Sequence, residues 1–315
     1  MNEISAIQYF SHEKIDKAKW DACIQQADNG LIYAYSFYLD AMADQWDALV
    51  FKDYEAVMPL TWRKKFGIYY LYQPFLIAQL GVFVRPDDRD GRGKNMNAEL
   101  VEIFLKAIPK KFRYWDICLN HKNYFVIKDH NLYQRMNYVL DLNKPYEKIY
   151  ESYSENIQRN IRKAQQAGCT IEKNFDVEKV IALAIDQMKD RSKETNENVR
   201  RFKTLYDQLS KDQKAITYGI SLHNQMIASA VFFFSHNRAY YILVGNHSEG
   251  KNIGASHALI DSFIKDHAEK DLLLDFEGSD IPGLALFYKS FGAIEEKYAA
   301  IKLNRLPFYL KWIKK

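Results

Sequence analysis

Six of the 13 glycines in this chain lie between Gly245 and Gly292. They interrupt apolar runs in a fixed order: strand, GNHSEGKNIGAS, helix, LLLDFEGS, helix, FYKSFGA, strand. Glycine is the residue that permits left-handed turns and close backbone approach. Clustered between short apolar runs, it predicts alternating strands and helices with tight connections, hence an α/β (α+β) domain. A turn feeding a helix N-terminus is also an anion site. The first helical amides lack partners there, and the helix dipole is positive. Lys251, Asn252, Ile253, Gly254, Ala255 and Ser256 supply such a turn. On these residues alone, a simple helix start explains them equally well.

The rest of the chain extends this pattern. With 315 residues, two domains are expected. Asn143-Lys144-Pro145 is the best junction, because proline restricts its predecessor and opens a new element well. This divides the chain into 1–144 and 145–315. After the junction, a helix is predicted over 155–167. Its apolar stripe is Ile157, Ile161 and Ala164, its polar stripe includes Arg159, Arg162 and Lys163, and Gly168 ends it. Two more helices carry Val177–Met188 and Val199–Leu209. Strands follow at 215–222, 226–235 and 239–245, and the run VFFF at 231–234 is too continuous for a one-sided surface strand. A helix over 254–270, a short strand, a helix and a last strand over 294–303 complete the order. In the first half, residues 67–84 contain no charge. Gly67, Pro74 and Gly81 punctuate them, so two buried strands joined at Gln73–Pro74 are expected rather than a membrane span.

Composition removes several function classes. Apolar residues at 48% and charged residues at 27% are ordinary for a globular protein. A net charge of +4 is too mild for a DNA-binding face. Cys23, Cys118 and Cys169 are far apart, with no metal-ligand spacing, so neither a disulfide framework nor a metal site is expected. The opening Met-Asn-Glu-Ile-Ser lacks an apolar leader run, and a cytoplasmic location is expected. The tail LPFYLKWIKK (306–315) mixes apolar and basic residues. Docking of Phe308, Leu310 and Trp312 onto the first domain is preferred over a peripheral membrane contact.

Two blocks carry a family resemblance. Lys251-x-x-Gly254-x-Ser256 resembles the Gln/Arg-x-x-Gly-x-Gly/Ala loop of the GNAT superfamily of acyl-CoA N-acyltransferases, with Lys and Ser as departures. Tyr288-Lys289-Ser290-Phe291-Gly292 resembles the Tyr-x-x-x-Gly segment that follows there. Asp275-Phe276-Glu277-Gly278, Gly283 and Phe287-x-x-x-Phe291-Gly292 are similar to the DFxG…FKxxFG block of Fem-type peptidoglycan aminoacyl transferases. Tyr288 stands at the Lys position of that block. The stretch from Ser154 through Arg159, Arg162 and Lys163 to Gly168 resembles the Arg-rich helix opening the second domain of those enzymes. The resemblance covers about 150–303. It implies tandem GNAT-like domains, with mixed, mostly antiparallel sheets flanked by helices and a diverged first copy.

The resemblance also implies roles. Acyl-CoA (acetyl-CoA) would be the donor, held by residues 251–256 and Lys289. Tyr288 would protonate the leaving thiolate, and Asp275 or Glu277 would serve the acceptor amine. Alternating along a strand, those two carboxylates should share a face. Gln73, Gln79, Arg159, Arg162 and His247 are candidates for holding a small-molecule or peptidyl amine acceptor. His257 is a weaker candidate near phosphate. The long helical hairpin that accompanies tRNA use in many Fem-type enzymes has no counterpart of that length. Aminoacyl-tRNA is therefore the alternative donor, and a non-catalytic binding module is the second alternative. No GxGxxG follows the first strand, which disfavours a Rossmann enzyme.

Overall fold

The computed structural model describes residues 6–86, 96–123, 132–188, 196–278 and 280–307. The tail residues Phe308, Leu310 and Trp312 lie outside them. The chain forms two compact units: Met1–Arg135 with Lys297–Lys315, and Met136–Glu296. No described helix is long and apolar enough to cross a membrane.

The first unit holds strands β1 (Ile7–Phe10), β2 (Trp46–Phe51), β3 (Ala56–Lys65), β4 (Ile68–Tyr72), β5 (Phe83–Val84) and β6 (Phe112–Cys118). Its helices are α1 (Lys17–Gln26), α2 (Ser36–Met42) and α3 (Met96–Ala107). Strands β1 to β4 pair antiparallel in sequence, β5 pairs β3, and β6 joins β4 in parallel. Leu100, Val101, Phe104, Leu105 and Ile108 lay one face of α3 and its end on the sheet. The uncharged run forms β4, then a largely buried loop, and ends in the two-residue β5, rather than two full strands. Amide side chains replace the missing ladder. Gln73 Oε1 accepts from Cys118 N at 2.9 Å, Gln79 Oε1 from His121 N at 2.8 Å, and Asn123 Oδ1 from Val82 N at 2.8 Å. Buried backbone groups need such partners, so the absence of charge here marks burial rather than strand.

The second unit begins within β7 (Leu132–Asp141). It continues through α4 (Tyr146–Glu151), α5 (Glu155–Gln166), β8 (Thr170–Lys173), α6 (Val177–Met188), α7 (Asn196–Lys211), β9 (Ala215–Leu222), β10 (Gln225–Ser235) and β11 (Arg238–Asn246). Then come α8 (Ser248–Ile253), α9 (Ala255–His267), β12 (Leu273–Asp275), α10 (Pro282–Lys289) and β13 (Ile294–Asn304), which re-enters the first unit at Lys297. Strands β8 to β11 are antiparallel, β12 joins β11 in parallel, and β7 joins β12 antiparallel. VFFF lies in β10 with a helix on each face. Phe232 stacks on Phe263 of α9 at 3.7 Å, and Phe233 stacks on Phe202 of α7 at 5.6 Å. Helix packing on both faces is why that strand is continuously apolar.

The two compact units divide the chain at other positions than the 143–145 read from the sequence. Val139–Asp141 pair with β12, so the second unit starts before Pro145, and residues from Lys297 belong to the first. In that first unit, β13 pairs antiparallel with β6 through Ala300–Asn304.

Candidate active site

The two middle strands of the second unit separate. β11 pairs with β12 only over Arg238–Tyr240, opposite Leu273–Asp275. Beyond Tyr240, β11 continues to Asn246 with β10 as its ladder partner. Between Tyr241 and Leu243 that register shifts by one residue. A bulge increases local twist and re-aims the strand. The parallel edge of residues 241–246 is thereby released from β12 in the part of the strand that runs toward α8 and α9.

The turn beyond β11 differs from the loop read in the sequence. Residues 248–253 are a short helix, capped by the His247 side chain, whose Nδ1 accepts from Glu249 N at 3.3 Å. Gly254 then takes a left-handed φ of +81° and α9 begins. A Cβ at Gly254 would lie 2.5 Å from Asn160 O of α5, so both conformation and space require glycine. Lys163 Nζ donates to Asn252 O at 2.7 Å, a cation at the C-terminal end of α8. Ser256 Oγ donates to Asn246 Oδ1, and Asn246 N donates to Gln187 Oε1 at 2.7 Å. The Arg-rich helix thus borders the turn. Arg159 is exposed and donates to Asn156 Oδ1 at 2.6 Å, Arg162 is exposed, and Lys251 and Asn252 are exposed on α8.

Tyr288 sits on α10 and is 8% exposed. Its ring stacks on Phe276 at 4.5 Å, and Phe276 meets Tyr241 edge-on at 6.1 Å. Burial, and then the Glu277 carboxylate, push the Tyr288 phenol well above its ordinary pKa. Glu277 is not on the strand. β12 ends at Asp275, and Glu277 has φ +66° in a turn against β7. At Gly278, φ is +79° and a Cβ would lie 2.7 Å from Met136 O. The premise that Asp275 and Glu277 alternate on one strand face therefore fails.

Asp275 is 2% exposed and both its oxygens are engaged. Oδ2 accepts from Arg238 Nη1 at 2.8 Å, and Oδ1 from Glu277 N at 2.9 Å. Burial nevertheless holds its pKa above the ordinary carboxylate value, against the Arg238 charge. Arg238 also donates Nη2 to Glu296 Oε1 at 2.5 Å and Nη1 to Glu296 Oε2 at 3.0 Å. Asn137 Nδ2 donates to the same Oε2 at 3.1 Å. Arg238 is 6% exposed, so this is a buried two-acid clamp where β11 and β12 start to part. Sequence reading missed it. The available signal was an arginine opening an apolar strand, since a buried arginine requires acidic partners.

The remaining candidates lie elsewhere. Lys289 Nζ pairs with Glu295 Oε1 at 2.6 Å. Gln73 and Gln79 hold the first unit's buried loop: besides the bonds above, Gln73 Nε2 donates to Ile77 O at 2.8 Å. His257, on the first turn of α9, meets Phe287 edge-on at 5.0 Å and has a buried Nδ1 without a hydrogen-bond partner. Burial lowers its pKa to about 4. Among the described residues no group of His, Cys, Asp or Glu could hold a metal ion.

Comparison with known proteins adds the following. Residues 151–289 match the family model described as acetyltransferase (GNAT) domain. No curated protein matches the chain significantly. The crystal structure of FemX is similar at TM-score 0.64 and 14% identity, over 98% of this chain and 100% of that one. A tandem GNAT protein from the clavulanic acid biosynthesis pathway is similar at TM-score 0.52 and 9% identity, over 96% and 99%. L-PGS from Bacillus licheniformis is similar at TM-score 0.51 and 12% identity, over 94% and 93%. At these identities the structural likeness carries the fold alone.

Proposed function

We propose that the acetyltransferase (GNAT) domain formed by residues 151–289, which makes this chain an acyltransferase, moves an acyl group from acyl-CoA to an amine. The parting of β11 from β12 beside Tyr288 carries this reading. A strand edge freed from its ladder offers amides to the donor's own amide-bearing arm. The first turn of α9, with exposed Arg159, Arg162 and Lys251 nearby, suits its phosphates.

The reaction needs little from the protein. The amine attacks the thioester carbonyl, a C–N bond forms, and the C–S bond breaks. Tyr288, kept protonated by burial and by Glu277, donates its proton to the departing sulfur. Glu277 or a water accepts the proton from the amine. Asp275, engaged at both oxygens, is assigned a bracing role with Arg238 rather than base catalysis.

The alternative carrier is charged tRNA, as in the Fem-type reading. α6 and α7 span roughly 18 and 24 Å by helix geometry. α6 lies on β10 and β11 instead of forming a projecting arm, which favours acyl-CoA. Calorimetric titration of the full chain with acetyl-CoA should be saturable, and Tyr288→Phe should keep binding while lowering turnover 10- to 1,000-fold. Saturable binding of aminoacyl-tRNA without acetyl-CoA binding would replace the donor. Binding of neither would overturn the enzyme reading.

A further inference from the structure

We propose that one end of the first unit's sheet is a docking edge for an anionic lipid surface. The β3–β4 hairpin pairs Lys65 with Ile68, leaving Phe66-Gly67 as its two-residue turn. Such turns favour Asn-Gly, because both positions take positive φ. Here a phenylalanine holds φ +50° and is 80% exposed, with Lys65 Nζ 5.5 Å from its ring centroid. The position is locally unfavourable for its residue and offers a large apolar side chain to the outside.

Strand register brings basic residues to the same end. β6 runs parallel to β4 and starts at Phe112 opposite Tyr69, so Lys110 and Lys111 lie beside the turn. β13 runs antiparallel to β6, with Asn304 opposite Tyr114, and Arg305 N donates to Arg113 O at 2.8 Å. The chain therefore leaves the sheet at this end as well. β3, β4, β6 and β13 are successive neighbours, and at about 4.8 Å per strand they make an edge of about 15 Å.

Charge accounting separates this edge from ordinary surface. Arg63 is held by Asp44 at 2.5 Å, Lys111 by the Tyr9 hydroxyl at 2.6 Å and Asp47 at 3.6 Å, and Lys106 by Glu102 at 3.3 Å. Lys64, Lys65, Lys110, Arg113 and Arg305 are exposed and have no ion pair among the described residues. In a chain of net charge +4, five such cations on one edge are a local concentration. Stable attachment to a bilayer surface requires two signals, an inserted apolar group and a basic cluster, and both meet here. A single-stranded nucleic acid is bound by a basic groove with several aromatic rings stacking successive bases, whereas the exposed aromatic of this turn is Phe66 alone among the described residues.

The test uses the full chain with vesicles of pure phosphatidylcholine and of phosphatidylcholine with about one third phosphatidylglycerol. Wild type should sediment with the anionic vesicles alone, and salt should release it. Each basic side chain near an anionic surface contributes about fivefold. Lys64→Glu, Lys65→Glu and Lys110→Glu together should therefore cost at least about 100-fold, while Lys211→Glu in the second unit should change nothing. Phe66→Asn, which suits the turn, should weaken partitioning several-fold with an unlowered melting temperature. No vesicle binding, equal binding to both vesicle types, variants that bind as wild type does, or displacement from vesicles by an RNA duplex at the same salt would each overturn the proposal.

Discussion

Arg238 illustrates what one residue does in this structure. It neutralises Asp275 and Glu296 in a site nearly closed to water. Removing one partner from such a set leaves the others buried and uncompensated. Arg238→Met should therefore destabilise the chain by about 3–5 kcal/mol, measured by urea unfolding at pH 7. His257 acts in the opposite sense, through the charge it refuses. Its folded pKa is about 4 against 6.5 for the ordinary group. Its contribution is fully present above pH 6.5 and is lost as pH falls toward 4, because the unfolded chain takes the proton first. The loss amounts to about 3 kcal/mol at most. Unfolding free energies of wild type and His257→Gln at pH 7 and pH 4.5 should converge on the acid side. A constant difference across that range would remove the assignment. Neither residue announced its role in the sequence. Pairing and burial depend on neighbours 37 and 58 positions away for Arg238, and no local pattern encodes them.

At the scale of elements, the longer helices of the second unit were legible, while the six-residue α4 was not read. α5 follows its stripe of Ile157, Ile161 and Ala164, with Ser154 capping it by accepting from Ile157 N at 3.4 Å. β9, β10 and β11 follow their apolar runs. The segment 248–253 was not legible as helix, because six residues closed by a glycine read equally as a turn. Two glycines of the site region separate conformational need from mere presence. Gly254→Val should cost about 1–3 kcal/mol in thermal melts, since φ +81° and Asn160 both oppose it, and should weaken acetyl-CoA binding. Gly283, inside α10, has open space where a Cβ would go. Gly283→Ala should stabilise by about 0.5–1 kcal/mol and leave binding unchanged.

At the scale of the whole molecule, the two units repeat one pairing plan. β2, β3 and β4 form an antiparallel meander to which β6 adds in parallel, and β9, β10 and β11 form another to which β12 adds in parallel. This order supports reading the first unit as a diverged copy. The strand that completes each plan comes from elsewhere in the chain: β13 for the first and β7 for the second. A chain ending at Glu296 should therefore strip β6 of its partner. The expected outcome is loss of the cooperative melting of the first unit, with early proteolytic cleavage there; an unchanged melt would contradict the assignment of Lys297 onward to that unit.

Local sequence by itself determined the α/β class, most elements of the second unit and the glycine-marked turns, because helix and strand periodicity and positive-φ turns are decided by residues close in the chain. The resemblance of residues 251–256 and 275–292 to acyltransferase blocks was readable for the same reason. Only the tertiary structure decided that β11 and β12 part after three paired residues, that Asp275 is locked by a buried arginine, and that β13 returns to the first unit. Those outcomes depend on long-range pairing and on the cost of burying charge, and both are set by which distant segments meet.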